Sequence, residues 1–511
     1  MNSSKQIKWG AILSYLSIVV NILSGLLYTP WMIDQIGKSQ YGLYTLAHSL
    51  ITLFLVDFGL SSATARYVSK YKAENNQTAV NNFLGVIYKL YLVIDLVIFS
   101  ILTIVYFLLD KIYITLSPSE LEVFKIVYII SAVFSVMNFP FITLNGVLTA
   151  YEKFIHLKLT DVLYRVLVVG FTVFALVNGM GIYALVASTA ISGIIITIYK
   201  LIVVGKTTPV EVNFKFVDKK LYKDIFSFSI WVTVSTLAQR LIFNITPSVL
   251  GVVASSSAIA VFGIVTTIEG YAYTITNAIN GLFMPKISKL YAENDDGNCI
   301  LDLMLKIGRY QYIINGLIIV GFVLLGKEFI MLWIGKGYLE AYYGIILVIL
   351  PGLFFNSLQI ANTAMIVQNK VKIQANISLA TGIINLVLSP ILAYKFGVIG
   401  ACVSIFIAYM TRAILCNIIY YKVLNIDNFV NYREEYSSII KKSKISGNRL
   451  IGLCPFHNDS NPSFSVDLTT GQWICFTENI KGNYINFYSR YYNITEKEAY
   501  KEILKKYKRQ V

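Results

Sequence analysis

The sequence predicts an all-α polytopic membrane protein with about 12 transmembrane helices in two six-helix bundles, followed by a small α+β module. The 511 residues are 56% hydrophobic and 14% charged, with a mean hydropathy of +0.64. Soluble chains are roughly 45–50% apolar and about 25% charged. The apolar residues form long runs, whereas a membrane β-barrel shows short alternating stretches. Residues 427–511 differ, since they carry 22 charged side chains and are expected to form a soluble tail.

Twelve apolar runs are long enough to cross about 30 Å of hydrocarbon, which takes about 20 helical residues. The predicted spans are 10–33, 41–60, 82–109, 124–150, 159–179, 181–204, 225–253, 256–284, 311–333, 341–366, 373–394 and 397–421. Two short similarities indicate parallel halves. NGVLTAYEKF from Asn145 resembles NTAMIVQNKV from Asn362, and GIYALVASTAI from Gly181 resembles GVIGACVSIFI from Gly397. The domains are therefore expected at residues 1–426 and 427–511.

The distribution of basic residues between the loops predicts the orientation. The loops after the even-numbered spans carry seventeen Lys and Arg residues, and the opposite loops carry five. Because cytoplasmic loops are enriched in Lys and Arg, the loops after the even-numbered spans, both termini and the tail are expected in the cytoplasm. The formal net charge of +15 is explained mainly by this rule rather than by a nucleic-acid partner.

Charged residues inside spans are costly when they face lipid, so they are expected to face a cavity or a partner. Six are candidates for substrate binding: Arg240, Arg412, Arg165, Lys89, Asp57 and Glu269. Two alternatives stay open at this point. Arg165 lies four residues after Asp161 on one helix and could pair with it, and Asp57 could serve an interface or a helix cap.

The sequence contains no pattern that predicts catalysis in the membrane part. The whole chain has three histidines, at His48, His156 and His457, and no GxxxxGK[ST] motif for a nucleotide. A membrane glycan polymerase or ligase would need a large outer loop with paired catalytic groups, and the predicted outer loops are short. The membrane part is therefore interpreted as a transporter and not as an enzyme, driven by a gradient or by substrate flow.

The first two spans carry a recognisable set of motifs. They are GKSQYGLY from Gly37 to Tyr44, DFGL from Asp57 to Leu60, and Arg66-Tyr67; FMPKISKLYAE follows from Phe283. With twelve spans, this order resembles the bacterial polysaccharide flippases of the multidrug/oligosaccharidyl-lipid/polysaccharide exporter superfamily. The resemblance implies alternating access by two bundles and transport of a polyprenyl-pyrophosphate-linked oligosaccharide. A multidrug or cation exporter of the same superfamily is the alternative, and acidic cavity residues would then dominate.

The tail contains a second set of motifs. These are CPFH from Cys454 to His457, NPSF from Asn461, WICF from Trp473 to Phe476, and GNYINF from Gly482. Two ligands on one tight loop with a third 18 residues later are typical of a zinc site. The set closely resembles the CHC2 zinc-binding domain of DNA primases and implies a zinc-ribbon-like module with metal ligands Cys454, His457, Cys475 and Glu478. Glu478 stands where that family has its fourth cysteine, so zinc binding and a metal-free remnant both stay open.

The resemblance to primases also implies contact with single-stranded nucleic acid, by basic residues on the backbone and aromatic residues on the bases. The residues suited to these parts are Arg449, Phe464, Trp473, Lys481 and Arg490. Priming itself would need a polymerase domain, which is not present in these 511 residues. A docking role toward a cytoplasmic protein and a decayed gene fusion are the other interpretations of the tail.

Overall fold

A computed structural model of the chain describes residues 3–277, 287, 298–368, 370–423, 432–468 and 470–508. The FMPKISKLYAE segment and the end of the eighth predicted span lie almost wholly outside the described residues. Tertiary contacts divide the chain into one unit with residues 1–292 and 303–419, and a second with residues 420–511 and 293–302.

The chain is helical up to the tail. In order, the helices are α1 (Ser3–Ile36), α2 (Lys38–Phe54), α3 (Leu60–Ala73), α4 (Gln77–Ile112), α5 (Pro118–Asn138), α6 (Thr143–Ala150), α7 (Phe154–Val177), α8 (Gly181–Thr207), α9 (Lys219–Phe243), α10 (Ile245–Val253), α11 (Ser256–Asn277), α12 (Asn298–Trp333), α13 (Glu340–Ile349), α14 (Gly352–Asn356), α15 (Gln359–Val367) and α16 (Val371–Val423). Short 3-10 helices occupy Phe139–Ile142 and Lys336–Tyr338.

The helices confirm the predicted class of fold. Within the described ranges, nine helices are long and apolar enough to cross a bilayer, and the pair of segments Glu340–Asn356 and Gln359–Val367, bent by 53°, makes a tenth. Two differences account for the remaining spans. Helix α2 has 17 residues, or about 25 Å, just short of a full crossing. Helix α16 has 53 residues, about 80 Å, and so holds two crossings.

The two crossings of α16 fold back on each other at Gly397. This glycine has a φ of 56° and a ψ of −134°, which break the helix. The Ser404 hydroxyl donates to Asn385 Oδ1 at 2.7 Å, although 19 residues of straight helix would separate them by about 28 Å. Gly181 has a φ of +65°, at the matching turn of the first half. Gly181 and Gly397, which begin the two similar segments, therefore both have a positive φ. Glycine adopts this conformation readily, whereas other residues rarely do.

The two halves of the first unit are joined at the face predicted to lie outside. Glu120 accepts hydrogen bonds from Ser39 of the first half and from Ser256 of the second. It also completes a capping box with Ser117 at the start of α5. Beside it, Lys38 Nζ donates to the carbonyl of Gly337 at 2.6 Å. One carboxylate thus connects three helix ends on this face.

The tail unit is an α+β module with its own core. It consists of α17 (Tyr432–Ile439), β1 (Lys444–Ser446), β2 (Arg449–Gly452), β3 (Phe464–Asp467), β4 (Trp473–Cys475), β5 (Ile480–Gly482), α18 (Tyr484–Tyr492) and α19 (Glu496–Lys508). The strands form an antiparallel meander in sequence order. Side chains alternate between the faces of a sheet, and Leu450, Val466 and Trp473 pair across the inner face. Tyr436 and Phe487 are buried in the same core.

Candidate functional site

Arg165 on α7 is a cation without a carboxylate partner in the described part of the chain. Its Nε donates to Ser24 Oγ of α1 at 2.8 Å, and no carboxylate oxygen described lies within 4 Å of its guanidinium. Asp161 is instead within 3.3 Å of Lys158 Nζ. The local Asp161–Arg165 pair that the sequence left open is therefore absent among these residues.

Tyrosines surround the Arg165 guanidinium. The four that lie within its electrostatic reach are Tyr28, Tyr44, Tyr164 and Tyr271. A Cβ at Gly25 would lie 1.8 Å from Tyr271 Oη and 3.1 Å from Arg165 Nη2, so both groups lie close to the backbone of α1. Tyr271 belongs to α11 of the second half, whereas the other three belong to the first. This group, which we call the Arg165 cluster, therefore lies where the two halves meet.

A cavity of about 500 Å³ adjoins the Arg165 cluster, because Tyr44 and Tyr164 line both. It lies among α2, α5, α6, α7 and α8 of the first half. Its polar wall is internally hydrogen-bonded: Lys200 Nζ donates to Asn145 Oδ1 at 2.9 Å, and Thr197 donates to Asn138 Oδ1 at 3.0 Å. The Asp161 carboxylate also lines the cavity, beside the Lys200 ammonium. Hydroxyl, amide, charged and aromatic groups together suit a hydroxyl-rich, partly apolar ligand such as a sugar.

Sequence reasoning did not identify this cavity wall. A signal was present, because Thr189, Gly193, Thr197 and Lys200 recur at intervals of four, four and three residues and so share one face of α8. Such a polar face inside an apolar run indicates a cavity or a polar neighbour. The same spacing occurs on two other helices, since Tyr44, His48 and Thr52 share one face of α2 and Ser131, Ser135 and Asn138 share one face of α5.

Asp57 and Arg240 form a second polar site, where the first half meets α9. Each is an electrostatic neighbour of the other. Asp57 also lies beside the backbone N–H groups of Gly59, Leu60 and Ser61, at the start of α3. Asp57 Oδ1 and Arg240 Nη1 are buried without a hydrogen-bond partner among the described residues. A carboxylate thus faces this arginine, in contrast to Arg165.

Lys89 lies apart from both groups. Its Nζ donates to the carbonyl of Phe216 at 2.6 Å, which ties α4 to the connection between α8 and α9. The lysine therefore already has a structural partner.

Arg412 and Glu269 lie together in the second half. Arg412 is 3% exposed, and its guanidinium carbon lies 4.4 Å from the centre of the Phe355 ring. Arg412 and Glu269 share Tyr273 and Tyr409 as electrostatic neighbours. Glu269 lines a smaller cavity with Asn315, Asn356 and both tyrosines. The six candidates thus fall into the Arg165 cluster, the Asp57–Arg240 site, the Arg412–Glu269 site and the isolated Lys89.

The tail contains the ligand atoms of a metal site. The Sγ atoms of Cys454 and Cys475 and a ring nitrogen of His457 all lie within 4.8 Å of one another. His457 Nε2 lies 3.1 Å from Cys475 Sγ. Zinc binds sulfur at about 2.3 Å and nitrogen at about 2.0 Å, so its tetrahedral ligands are roughly 3.5 Å apart. Both cysteines are free thiols, and these three residues therefore fit a zinc ion.

The environment of the thiols differs between the two cysteines. Burial raises the pKa of the Cys454 thiol to about 11. Burial acts in the same direction on Cys475, but hydrogen bonds involving the Glu478 backbone N–H and His457 lower its pKa to about 7. Thiolates are the metal-binding form. Asp459 supports the loop, because it accepts from the Cys454 N–H at 3.3 Å and from the Ser463 hydroxyl.

Glu478 does not belong to this group of three ligand atoms. Its side chain is exposed, and so are those of Phe476, Thr477 and Asn479 in the same turn. The fourth side of the site therefore faces solvent, whereas the other three sides are formed by Cys454, His457 and Cys475.

The structure corrects two of the residues predicted to contact nucleic acid. Phe464 is 0% exposed and Trp473 is 3% exposed; their rings stack in the tail core with centroids 5.2 Å apart, so they are unavailable to bases. Arg449, Lys481 and Arg490 are exposed. Lys481 lies on the outer face of the sheet, in a row of paired residues with Ile474, Ser465 and Ile451. Arg449 is two residues before Ile451 on the same strand and so lies on the same face. Arg490 lies on α18, 5.7 Å from the Phe456 ring centre.

Comparison with known families assigns both parts of the chain. A model of the family described as "Polysaccharide biosynthesis protein" matches residues 7–291. A model described as "CHC2 zinc finger" matches residues 423–511. The first match covers more than half of the 511 residues, and the second covers the tail.

Two DNA primases are similar to a short stretch of the chain. A DNA primase of Mycoplasma genitalium is 36% identical over 63 residues, which are 12% of this chain and 10% of the primase. A DNA primase of Lactococcus lactis subsp. lactis is 35% identical over 74 residues, which are 14% of this chain and 12% of the primase. The chain thus spans about a tenth of the length of the primases that it matches.

Solved structures match the membrane part. An inward-facing multidrug resistance MATE family transporter of the MOP superfamily has a TM-score of 0.67 at 13% identity, over 81% of this chain and 98% of the transporter. An outward-facing multidrug resistance MATE family transporter of the MOP superfamily has a TM-score of 0.63 at 14% identity, over 83% of this chain and 96% of the transporter. At these identities the likeness establishes the fold: the membrane part has the architecture of this transporter superfamily.

Proposed function

The chain belongs to the polysaccharide biosynthesis protein family, and from this premise we propose that it flips a polyprenyl-pyrophosphate-linked oligosaccharide across the bacterial cytoplasmic membrane by alternating access. Family and fold together make the membrane part a transporter of the flippase or exporter type. The substrate, the bacterial cytoplasmic membrane and the cytoplasmic position of both termini belong to the proposal.

The Arg165 cluster is the observation that carries this proposal. A guanidinium stays charged and holds phosphate through two parallel donors. The Arg165 guanidinium retains that capacity, since its hydrogen bond among the described residues goes to a neutral serine, Ser24. Four tyrosines surround it, and their hydroxyls can donate to further phosphate oxygens.

The adjoining cavity supplies the second part of the recognition. Its amide and hydroxyl wall can bond sugar hydroxyls, while Tyr44 and Tyr164 offer ring faces between the cavity and Arg165. A headgroup with pyrophosphate next to sugar would match a cation next to a polar aromatic cavity. Residues of both halves meet at the cluster, as a site that is exposed alternately on each side requires.

The other candidate residues have secondary parts in this proposal. Arg240 and Arg412 would attract the anionic headgroup as the halves separate, each beside an acidic neighbour, Asp57 or Glu269. Lys89 would hold the loop after α8 through Phe216. A multidrug or cation exporter is the rival, and the cluster favours the anionic substrate because its central charge is positive.

Reconstitution tests the proposal. The purified chain is placed in liposomes that contain a fluorescent polyprenyl-pyrophosphate disaccharide, and a membrane-impermeant quencher reports the labelled headgroup that reaches the opposite leaflet. Transfer faster than in protein-free liposomes, and reduced by Arg165→Ala, supports the proposal. A chain that transports a fluorescent organic cation in the same liposomes, and not the disaccharide, contradicts it.

For the tail we infer a zinc-dependent contact with single-stranded nucleic acid, through exposed Arg449, Lys481 and Arg490. The support is their exposure, together with the family match of the tail. Zinc held by Cys454, His457 and Cys475 would order the loop and the hairpin. Basic residues contact phosphates, so substitution of Arg449 and Lys481 by alanine is expected to weaken binding of a labelled single-stranded oligonucleotide by the zinc-loaded full chain. Unchanged binding contradicts the inference.

Deletion of residues 428–511 separates the remaining interpretations of the tail. A docking role toward a cytoplasmic partner predicts reduced glycan export in cells, even though transport in liposomes is normal. A decayed fusion predicts unchanged export. Neither outcome alters the assignment of the membrane part to its family.

A further inference from the structure

The zinc site of the tail differs from a closed structural site at its fourth position. Closed sites have four protein ligands, whereas sites with three protein ligands keep a position for water or another small ligand. Here the described protein groups supply three, Cys454, His457 and Cys475. The turn that would supply the fourth, residues 476–479, is exposed throughout.

The length of Glu478 works against closing the site. A cysteine at this position would present its sulfur one bond beyond Cβ, whereas a glutamate carries its oxygens three bonds beyond Cβ. The Glu478 backbone N–H already bonds to the Cys475 sulfur, which brings the start of this side chain close to the site. An extended Glu478 side chain would place its carboxylate beyond the metal position, and in this structure the side chain is exposed and outside the group of three ligand atoms.

The chemistry of the ligand set also favours an outside ligand. Two thiolates and an imidazole make a soft metal environment, for which a further thiolate is a better match than a carboxylate. Phe476, 63% exposed in the same turn, adds an apolar surface beside the open side. A small thiol with an apolar body would contact both the metal and this ring.

We propose that the tail holds zinc through Cys454, His457 and Cys475 alone, and that the fourth position is exchangeable and binds a small exogenous thiolate. This inference concerns the tail only and does not depend on the transported substrate. Its ligand class is a monothiol of low molecular mass, and its site is the solvent-facing side of the 476–479 turn.

Cobalt spectroscopy of the full chain in detergent tests the proposal. The chain is loaded with Co²⁺ in place of zinc and titrated with 2-mercaptoethanol. Sulfur-to-cobalt charge-transfer absorbance is expected to rise saturably by about 1.5-fold, because the thiolates on the metal increase from two to three. Cys454→Ser with Cys475→Ser assigns the bands to this site, since both bands and response should vanish.

Two variants of the fourth position complete the test. Glu478→Cys should begin at the higher absorbance and show no response to the thiol. Glu478→Ala should respond like the parent chain. The proposal is overturned if the parent chain binds no cobalt, if its spectrum is unchanged by the thiol, or if only Glu478→Ala responds, since the last result means that the carboxylate closes the site.

Discussion

Arg165 and Arg412 are both arginines within predicted spans, yet the two halves of the molecule give them opposite surroundings. Arg165 lies among tyrosines beside a polar cavity, and its Nε bonds to Ser24. Arg412 is 3% exposed and packs on Phe355, in the same site as Glu269. The cation–π contact with Phe355 offsets part of the cost of burying this charge, although Arg412 Nε has no hydrogen-bond partner among the described residues. The comparison teaches that position within a span does not identify the arginine that is free to meet an anion.

Replacement of Arg165 should have the largest effect on transport. A hydrogen bond to a charged group contributes about 1.5–3 kcal/mol, so Arg165→Ala is expected to slow disaccharide transfer in liposomes roughly 10- to 100-fold. Arg165→Lys keeps a positive charge but lacks the planar guanidinium. Its rate of transfer should lie between those of the parent chain and Arg165→Ala. Equal rates for Arg165→Ala and the parent chain would remove the basis for ranking Arg165 above Arg412.

The next largest effect is expected from Glu120, which joins the two halves at the predicted outer face through Ser39 and Ser256. Glu120→Gln retains the capping box, because glutamine also serves at that position, but weakens the charged acceptor shared by Ser39 and Ser256. The outward-open population is expected to rise by roughly 5- to 20-fold, for a loss of about 1–2 kcal/mol. Labelling of a Ser135→Cys reporter in the cavity by a membrane-impermeant thiol reagent, added outside, measures this change.

The matched control for that experiment is Glu122→Gln, a neighbouring substitution that leaves the shared carboxylate in place. Labelling should then match that of the reporter alone. If both substitutions increased labelling equally, the hydrogen bonds of Glu120 with Ser39 and Ser256 would not be what holds the outer face closed.

A smaller effect is expected from the cavity wall. Asn145→Ala removes the acceptor of the Lys200 ammonium and one amide available to sugar hydroxyls. Neutral hydrogen bonds contribute about 0.5–1.5 kcal/mol, so transfer of the disaccharide should slow roughly two- to tenfold. Transfer of a polyprenyl pyrophosphate without sugar should be unaffected, and a parallel loss for both lipids would contradict the assignment of the cavity to sugar.

The smallest effect is expected at Arg412. Arg412 is buried on Phe355 and lines neither of the two cavities described above, so Arg412→Met should change the rate of transfer by less than about threefold. Thermal unfolding in detergent checks that the variant is folded. A loss as large as that of Arg165→Ala would show that the two arginines act together on the substrate, and the contrast between the halves would fail.

The tail illustrates the limits of sequence reasoning from a family motif. Its ligand residues Cys454, His457 and Cys475 were predicted from spacing and resemblance, and they converge. Phe464 and Trp473 were predicted to stack on bases because they are aromatic, but they lie on the inner face of the sheet. Aromatic character does not determine the face; the strand register does, since side chains alternate between faces.

The sequence by itself determined the membrane character, the helical class, the parallel halves and the two families, because these depend on composition, on apolar run length and on local motifs. It also determined which residues are charged inside spans. Only the tertiary structure decided which of those charges lack a partner among the described residues, because pairing depends on neighbours from distant helices: Ser24 and Tyr271 reach Arg165 from positions 141 residues before and 106 residues after it. The same holds for Glu120, because Ser256 becomes its neighbour only when the two halves pack together.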